Sequence, residues 1–382
     1  MKYLWTLAVL FLSNFLTAQE SENPLFSSFE NYKKAKENTP FQVKWISAGP
    51  VTNSARVEAL QGDPNQPGTM YVAFGSGNLW KTTNNGLNWR AIFENQPTLG
   101  IGDIAIAPSN SEILYLGTGE SLRKNRNFTM PGTGVYRSDD GGETWTHLGL
   151  EETWHIGEIV VHPHNPDIVF VAAMGKFWSE STSKGIYRTI NGGKDWERVL
   201  YINENTRAND IVIAHSNPKI VYASMWENND NANIAESVYG PNSGIYYSSD
   251  GGSTWKRSKT GLPDDPKIGR IGLAVSYQNA QKVYALMDNR NETEGNSAEV
   301  YQSLNGGFTW KKSHNDTLRI FPGNNIGWYF ADIYVSPTND DEIYSLGVRM
   351  AHSKDGGKTF STVGGNIQHL QPSPAQTLHL DH

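Results

Sequence analysis

The chain has 382 residues, a formal net charge of −7 and no cysteine. That length serves one large all-β domain or two ordinary ones, and the missing thiols exclude disulfides and a cysteine-borne lipid anchor. The mild acidity excludes nucleic acid as the main partner, because phosphate binding needs a basic surface. With 37 Gly, 12 Trp and 17 Tyr against 19% charged residues, the composition is that of a turn-rich β protein with aromatic packing.

Lys2 is followed by an apolar run from Tyr3 to Leu16 and then by Thr17-Ala18-Gln19. A short positive region, a short apolar core and a small residue before the break predict a secretory signal peptide over residues 1–18, cut after Ala18. The run is too short to span a bilayer comfortably, and no later segment is apolar enough. The mature chain is therefore expected to be secreted, periplasmic or held at the cell surface, without a membrane span. Residues 19–40 read as an N-terminal linker, and residues 41–376 as a β-propeller.

Six segments of the propeller share one pattern: Thr82 to Trp89, Ser138 to Trp145, Thr189 to Trp196, Ser248 to Trp255, Ser303 to Trp310 and Ser353 to Phe360. Each places Asn84, Asp140, Asn191, Asp250, Asn305 or Asp355 at the third position, before a Gly-Gly or Asn-Gly pair and an aromatic residue. Asp or Asn followed by glycine is hairpin-turn composition, since glycine takes positive φ without steric cost. The Asp or Asn oxygen accepts hydrogen bonds from turn amides, and the aromatic ring plugs the space between sheets. Because three of the six carry Asn, charge is not required there and the residue is structural rather than catalytic. This series resembles the Asp-box (BNR) repeat of bacterial neuraminidase-type proteins, whose spacing of roughly 50–60 residues is that of propeller blades.

Four strand-like runs precede or flank each box, as in Asp103-Ile-Ala-Ile-Ala, Ile113-Leu-Tyr-Leu-Gly, Gly134-Val-Tyr-Arg-Ser and Thr144-Trp-Thr-His-Leu. Four short antiparallel strands per repeat make a blade. Six complete blades are expected, with parts of a seventh. Trp45 stands in a run like the outermost strand of the closing blade, and residues 377–382 look like the innermost strand of that seventh blade, two strands of which are missing. A truncated seven-bladed ring with a further C-terminal domain follows from that reading, ten blades being the alternative.

In an up-and-down blade successive connections alternate between the two ends of the sheet. The boxes and the first-to-second turns thus share one face, and the long, variable loops share the other, where recognition belongs. Ligand-binding candidates on those loops are Glu120, Arg126, Trp154, Trp178, Trp226 and Trp328, because rings stack on sugars while polar groups read hydroxyls or peptide backbone. Arg56, Asp103, Glu158, Asp210, Arg270 and Asp332 stand at the entry of the six innermost strands and are expected to ring the channel mouth. Clustered carboxylates there hold a cation, position a sugar or titrate abnormally; alternating ion pairs that solvate the channel are the plainer alternative. No metal-ligand spacing, phosphate loop or nucleophile elbow is present, so no metal or cofactor is expected.

The segments Gly75-Ser-Gly-Asn-Leu-Trp-Lys-Thr-Thr-Asn-Asn-Gly, Gly117-Thr-Gly-Glu-Ser and His155-Ile-Gly-Glu-Ile-Val-Val-His-Pro are similar to those of sortilin-like and xyloglucanase-like propellers, exported bacterial proteins often labelled glycosyl hydrolases. The resemblance runs from about Trp45 to Phe360. It implies an exported propeller that binds a glycan or a peptide or protein ligand on the face opposite the boxes. The alternative it implies is a glycoside hydrolase, xyloglucanase-like or sialidase-like, with Asp103, Glu158 and Asp210 as catalytic candidates. The sequence departs from both enzyme patterns: Ala73-Phe-Gly-Ser-Gly-Asn-Leu lacks the xyloglucanase carboxylate, and no sialidase arginine triad is recognisable.

Overall fold

The computed structural model describes residues 23–39, 56–121, 129–177, 181–228, 238–264, 266–291, 297–315, 318, 320–321, 326–329, 331–347 and 349–363. The signal-like segment, Trp45, Arg126, Trp178 and residues 364–382 lie outside the described residues.

Six four-stranded antiparallel sheets follow one another along the chain, each a simple meander in sequence order. Their first strands are Val57–Gly62, Ile101–Ile106, Ile156–Val161, Thr206–Ile213, Ile268–Val275 and Asp332–Val335. Each of the first five packs against the first strand of the next sheet, so the first strands form the inner wall and the sheets are propeller blades. The expected all-β propeller with six complete blades is therefore the observed architecture. An α-helix, Pro24–Glu37, lies in the stretch read as a linker. Asn23 accepts from the Leu25 N–H to cap it, Pro24 opens it, and the Asn23 amide donates to Gly132 O at 3.1 Å, seating the helix on blade 2.

The box turns explain why the sheets recur. In blade 2 the Ser138 hydroxyl donates to Asp140 Oδ1 at 2.7 Å and accepts from the Gly142 N–H at 2.8 Å, while the Thr144 N–H donates to Asp140 Oδ1 at 2.9 Å. Gly141 and Gly142 have φ of 67° and 93°, a backbone that only glycine adopts freely. The boxes with Asn keep the same geometry, as Thr189, Asn191 and Gly193 show. The ring then ties blade to blade: the Trp145 indole donates to Ile92 O of blade 1 at 2.9 Å, and Trp196 to Leu148 O of blade 2 at 2.8 Å.

Burial differs along the ring. In blade 2 every residue of Ile101–Ile106 and Leu114–Thr118 is buried, because a neighbouring blade covers each face. In blades 1 and 6 burial alternates, as in Met70–Phe74 and Met350–Ser353. Leu60, Val72 and Trp80 are paired across one face of blade 1, and Tyr334 and Tyr344 across one face of blade 6. No described sheet covers either face, and the inner strands of blades 6 and 1 do not pack together as the other neighbours do.

Candidate functional site at the loop-side channel mouth

The inner strand of blade 2 runs from Ile101, paired with Thr118 beneath the long loop, to Ile106, paired with Leu114 beside the short turn. Asp103 therefore lies at the loop end of the channel. Glu158, Asp210 and Asp332 occupy the same place in register, opposite Ala172, Ser224 and Leu346. Register corrects the sequence alignment in the other two blades. There the equivalent residues are Ala59, opposite Ala73, and Gly272, opposite Leu286. Arg56 and Arg270 enter before them, near the irregularities that follow Val57 and Ile268, which blades 2, 3 and 4 share at their own strand entries. Spacing alone could not show those irregularities, since a bulge adds residues without changing composition.

The four carboxyls are brought together. Burial, first of all, pushes Asp103 up to about 7, and the charges of Asp210 and Asp332 add to it. Asp210 also rises to about 7, chiefly through burial. Glu158 is raised well above the usual carboxyl range by burial and then by Asp103, Asp210 and Asp332. Like charges in a shared low-dielectric space disfavour ionisation of each. Arg270, only 5% exposed, relieves part of this: its Nη2 lies 3.6 Å from Asp332 and its Nη1 donates to Tyr329 O at 3.1 Å. Tyr334, an exposed side chain near the same carboxyls, has its phenol raised by desolvation and then by the charges of Asp332 and Glu158.

Asp103 and Asp210 also hold the ring together. The Ile159 N–H of blade 3 donates to Asp103 Oδ2 at 2.7 Å, and the Leu273 N–H of blade 5 donates to Asp210 Oδ2 at 2.8 Å. Each satisfies a buried backbone donor of the following blade, which would otherwise cost about 1–3 kcal/mol. Among the described residues no group of three or more such side chains is arranged to hold a metal ion.

Glu58 is the residue that sequence reasoning missed. Ser121 Oγ donates to its Oε2 at 2.9 Å, its Oε1 is buried without a partner, and burial followed by repulsion from Glu120 raises it well above the usual range. The only signal was a charged residue inside the strand run Val57-Glu58-Ala59-Leu60. Glu120 is wholly buried, paired with the Arg56 guanidinium, and accepts from the Met130 N–H at 3.3 Å. Gly75 makes this carboxyl pair possible, since a Cβ there would come within 2.7 Å of both Glu58 Oε1 and Glu120 Cγ. His155 lies beneath, stacked on Phe177 at 4.0 Å with Nδ1 2.9 Å from Glu120 O. Burial, then Arg207, lowers it to about 3, so it stays neutral.

The loop aromatics divide. Trp226 is 4% exposed and its indole donates to Val238 O at 2.8 Å; it belongs to an apolar cluster with Met174, Phe177 and Val238, not to an open surface. Trp328 packs on that cluster and meets Tyr329 edge-on at 5.5 Å. Trp154 is half-buried, with Lys176 Nζ 5.1 Å from its ring centre, and remains available to a ligand.

Residues 133–264 match the Sortilin-Vps10 family, described as "Sortilin, neurotensin receptor 3". The chain is 24% identical over 357 residues to xyloglucanase Xgh74A of Acetivibrio thermocellus, covering 75% of this chain and 39% of that relative; it thus spans well under half of the relative's length. Among solved structures, an ancestral GH74 enzyme aligns with TM-score 0.58 and 21% identity, over 80% of this chain and 38% of the other. The GH74 enzyme of Niastella koreensis aligns with TM-score 0.57 and 19% identity, over 80% and 46%. These structural likenesses concern the fold. The chain is thus a β-propeller that is similar over residues 133–264 to the Sortilin-Vps10 family and, at 24% identity, to a xyloglucanase.

Proposed function

We propose that this chain is an exported glycan-recognising propeller whose binding surface is the loop-side mouth of the channel, around Trp154, Glu58 and the Asp103–Glu158–Asp210–Asp332 group. The observation that carries binding rather than hydrolysis is the use of Asp103 and Asp210 as acceptors for the backbone of the next blade. Glycoside hydrolysis needs two placed carboxyls on either side of a bond. Here Glu120 is buried against Arg56, and Asp103 and Asp210 each commit an oxygen to the scaffold. The xyloglucanase relatives supply the glycan class. A peptide ligand remains within the same chemistry, since ring and carboxyl groups also read backbone.

A second reading, glycoside hydrolysis, is favoured by the same carboxyls in another respect: Asp103 and Asp210 hold protons near neutral pH, as a general acid must. One experiment separates the two. Titration of the protein with xyloglucan oligosaccharides is expected to show binding that Trp154→Ala weakens, with no release of reducing ends. Sugar release that disappears in Asp103→Asn or Asp210→Asn, at unchanged folding, would establish the hydrolase instead.

The uncovered faces of blades 1 and 6 support a further part of this reading: a seventh sheet seated between them, so that the channel mouth is closed all round. The expected check is a drop in melting temperature, with increased binding of an apolar dye, when Trp80 or Tyr344 is replaced by Asp. Unchanged stability in both would leave the two faces as simple solvent boundaries.

A further inference from the structure

Asp288 stands next to last in the second strand of blade 5, Val283–Asn289, and is wholly buried. Blade 5 has a described blade on either side, so this burial belongs to the assembled ring. Arg290 Nε donates to Asp288 Oδ2 at 3.1 Å, while Oδ1 is buried without a hydrogen-bond partner among the described residues. Burial pushes the carboxyl up to about 6, with Arg290 and Ser297 holding it back. Around it stand Arg290 on its own strand, and Lys267 and Arg270 on the inner strand, the Lys267 carbonyl accepting from the Arg290 N–H at 2.9 Å. Asp332 lies beyond, 3.6 Å from Arg270 Nη2. Glu299 of the third strand is the cross-strand partner of Met287 and so lies on the other face, paired with Lys312.

Two glycines give the carboxyl its room. A Cβ on Gly269, at the entry of the inner strand, would lie 2.6 Å from Asp288 Oδ2. One on Gly327 would lie 2.6 Å from Asp288 Cγ and 2.7 Å from Phe321 Cε2. Gly327 is the middle residue of the single turn Ile326–Trp328, which packs on the first two strands of blade 5 and brings no charge. The connection from blade 5 to blade 6 therefore rests on the Asp288 carboxyl. The same connection helps to build the channel mouth. Trp328 packs on the Met174–Phe177–Trp226–Val238 cluster, and Tyr329 O accepts from Arg270 Nη1 at 3.1 Å.

We propose that Asp288 is a proton-operated seat for this connection: protonated, it lets the turn pack down and hold Tyr329 against Arg270; ionised, it lifts the turn and opens the mouth. A buried carboxylate oxygen without a donor is costly, whereas the neutral acid is tolerated, and lifting the turn readmits water to it. The sign follows from linkage. A carboxyl that titrates near about 4 when wet and about 6 when seated favours the packed turn fully below pH 4. It loses that contribution as pH rises through 6. The consequence for ligand binding rests on the channel-mouth reading, but the seat itself is tested without a ligand.

The chain has no cysteine, so Ala331→Cys puts a lone thiol in the same connection, where Ala331 is wholly buried against Leu318, Ile320 and Phe321. Its reaction with 4,4′-dithiodipyridine is timed at pH 4.5 and pH 7.5 and normalised to a small free thiol at each pH. The normalised rate is expected to rise about tenfold or more in Ala331→Cys, and by no more than about twofold in Ala331→Cys/Asp288→Asn. Asp288→Asn keeps an acceptor for Arg290 and has no charge to bury. A flat rate in Ala331→Cys overturns the seat, whatever becomes of Asp288→Asn. A rise that survives Asp288→Asn overturns it too. So does a rise that vanishes when Asp103→Asn/Asp210→Asn is added with Asp288 intact, since the switch would then belong to the channel group. Failure of the unmodified protein to bind xyloglucan oligosaccharides, alongside the expected thiol exposure, sustains the seat and overturns only the binding reading.

Discussion

The same residue, aspartate, is used in opposite ways on the two faces of the propeller. At the box turns Asp140 and Asp355 are lowered to about 2, chiefly by hydrogen bonds donated from Thr144 and Thr359, despite some burial in each case. At the channel, Asp103 and Asp210 rise to about 7 because burial outweighs the backbone donors that each accepts, Ile159 and Ile104 for Asp103, Leu273 and Ile211 for Asp210. Donors at a wet surface hold a carboxylate ionised; in a crowded, dry lumen burial outweighs them. The repeat thus builds an ionised, self-contained turn on one face and a proton-holding cluster near the other, from the same side chain.

The largest expected effect probes how tightly the channel end is built. A Cβ on Gly102, beside Asp103, would lie 2.0 Å from Ile156 O of blade 3, whereas one on Gly251 in a box turn meets nothing within 4 Å. Gly102→Ala is expected to cost about 3 kcal/mol or more, as backbone-level overpacking does. Gly251→Ala should cost only about 1–2 kcal/mol, from its φ of 71°. Urea unfolding measures both, and equal costs would break the contrast.

Next comes the latch. Asp103→Ala strands the Ile159 N–H and is expected to cost about 1–3 kcal/mol. Asp103→Asn keeps an acceptor without a charge to bury, so it should be neutral at pH 4.5 and stabilising at pH 8. A loss of stability in Asp103→Asn at pH 8 would show that the ionised carboxylate is needed.

The pH profile carries the same sign. A carboxyl raised to about 7 holds a proton in the folded state that the unfolded chain releases near pH 4. Its contribution to stability is complete below pH 4 and is lost as pH rises towards 7. The box aspartates act the other way: their contribution is present above pH 4 and lost as pH falls towards 2. Unfolding midpoints between pH 4.5 and 7.5 are expected to decline in the unmodified protein and to flatten in Asp103→Asn/Asp210→Asn. The smallest effect is expected for Asp140→Asn at neutral pH, within about 0.5 kcal/mol, because Asn191 and Asn305 perform the same turn in neighbouring blades.

Much of this architecture was legible before any coordinates. The box pattern repeats a local solution, two glycine-type dihedrals and one acceptor, that does not depend on the rest of the chain, so six turns and their flanking strands could be placed by reading. The strand entries Asp103, Glu158, Asp210 and Asp332 were legible for the same reason. Arg56 and Arg270 were misaligned because register is set by pairing with the second strand, which puts Ala59 and Gly272 in the equivalent places. Trp226 and Trp154 looked alike in sequence, and only packing made one core and the other surface.

The sequence by itself determined the repeat, the four-stranded blade and the division into a turn face and a loop face, since each follows from short-range backbone chemistry. Only the tertiary structure decided which charged groups share a space. It set Glu58 against Glu120 over Gly75, and made Asp103 and Asp210 fasteners between blades. Proton affinity, exposure and the availability of a donor depend on neighbours distant in sequence, and those neighbours are chosen when the ring assembles.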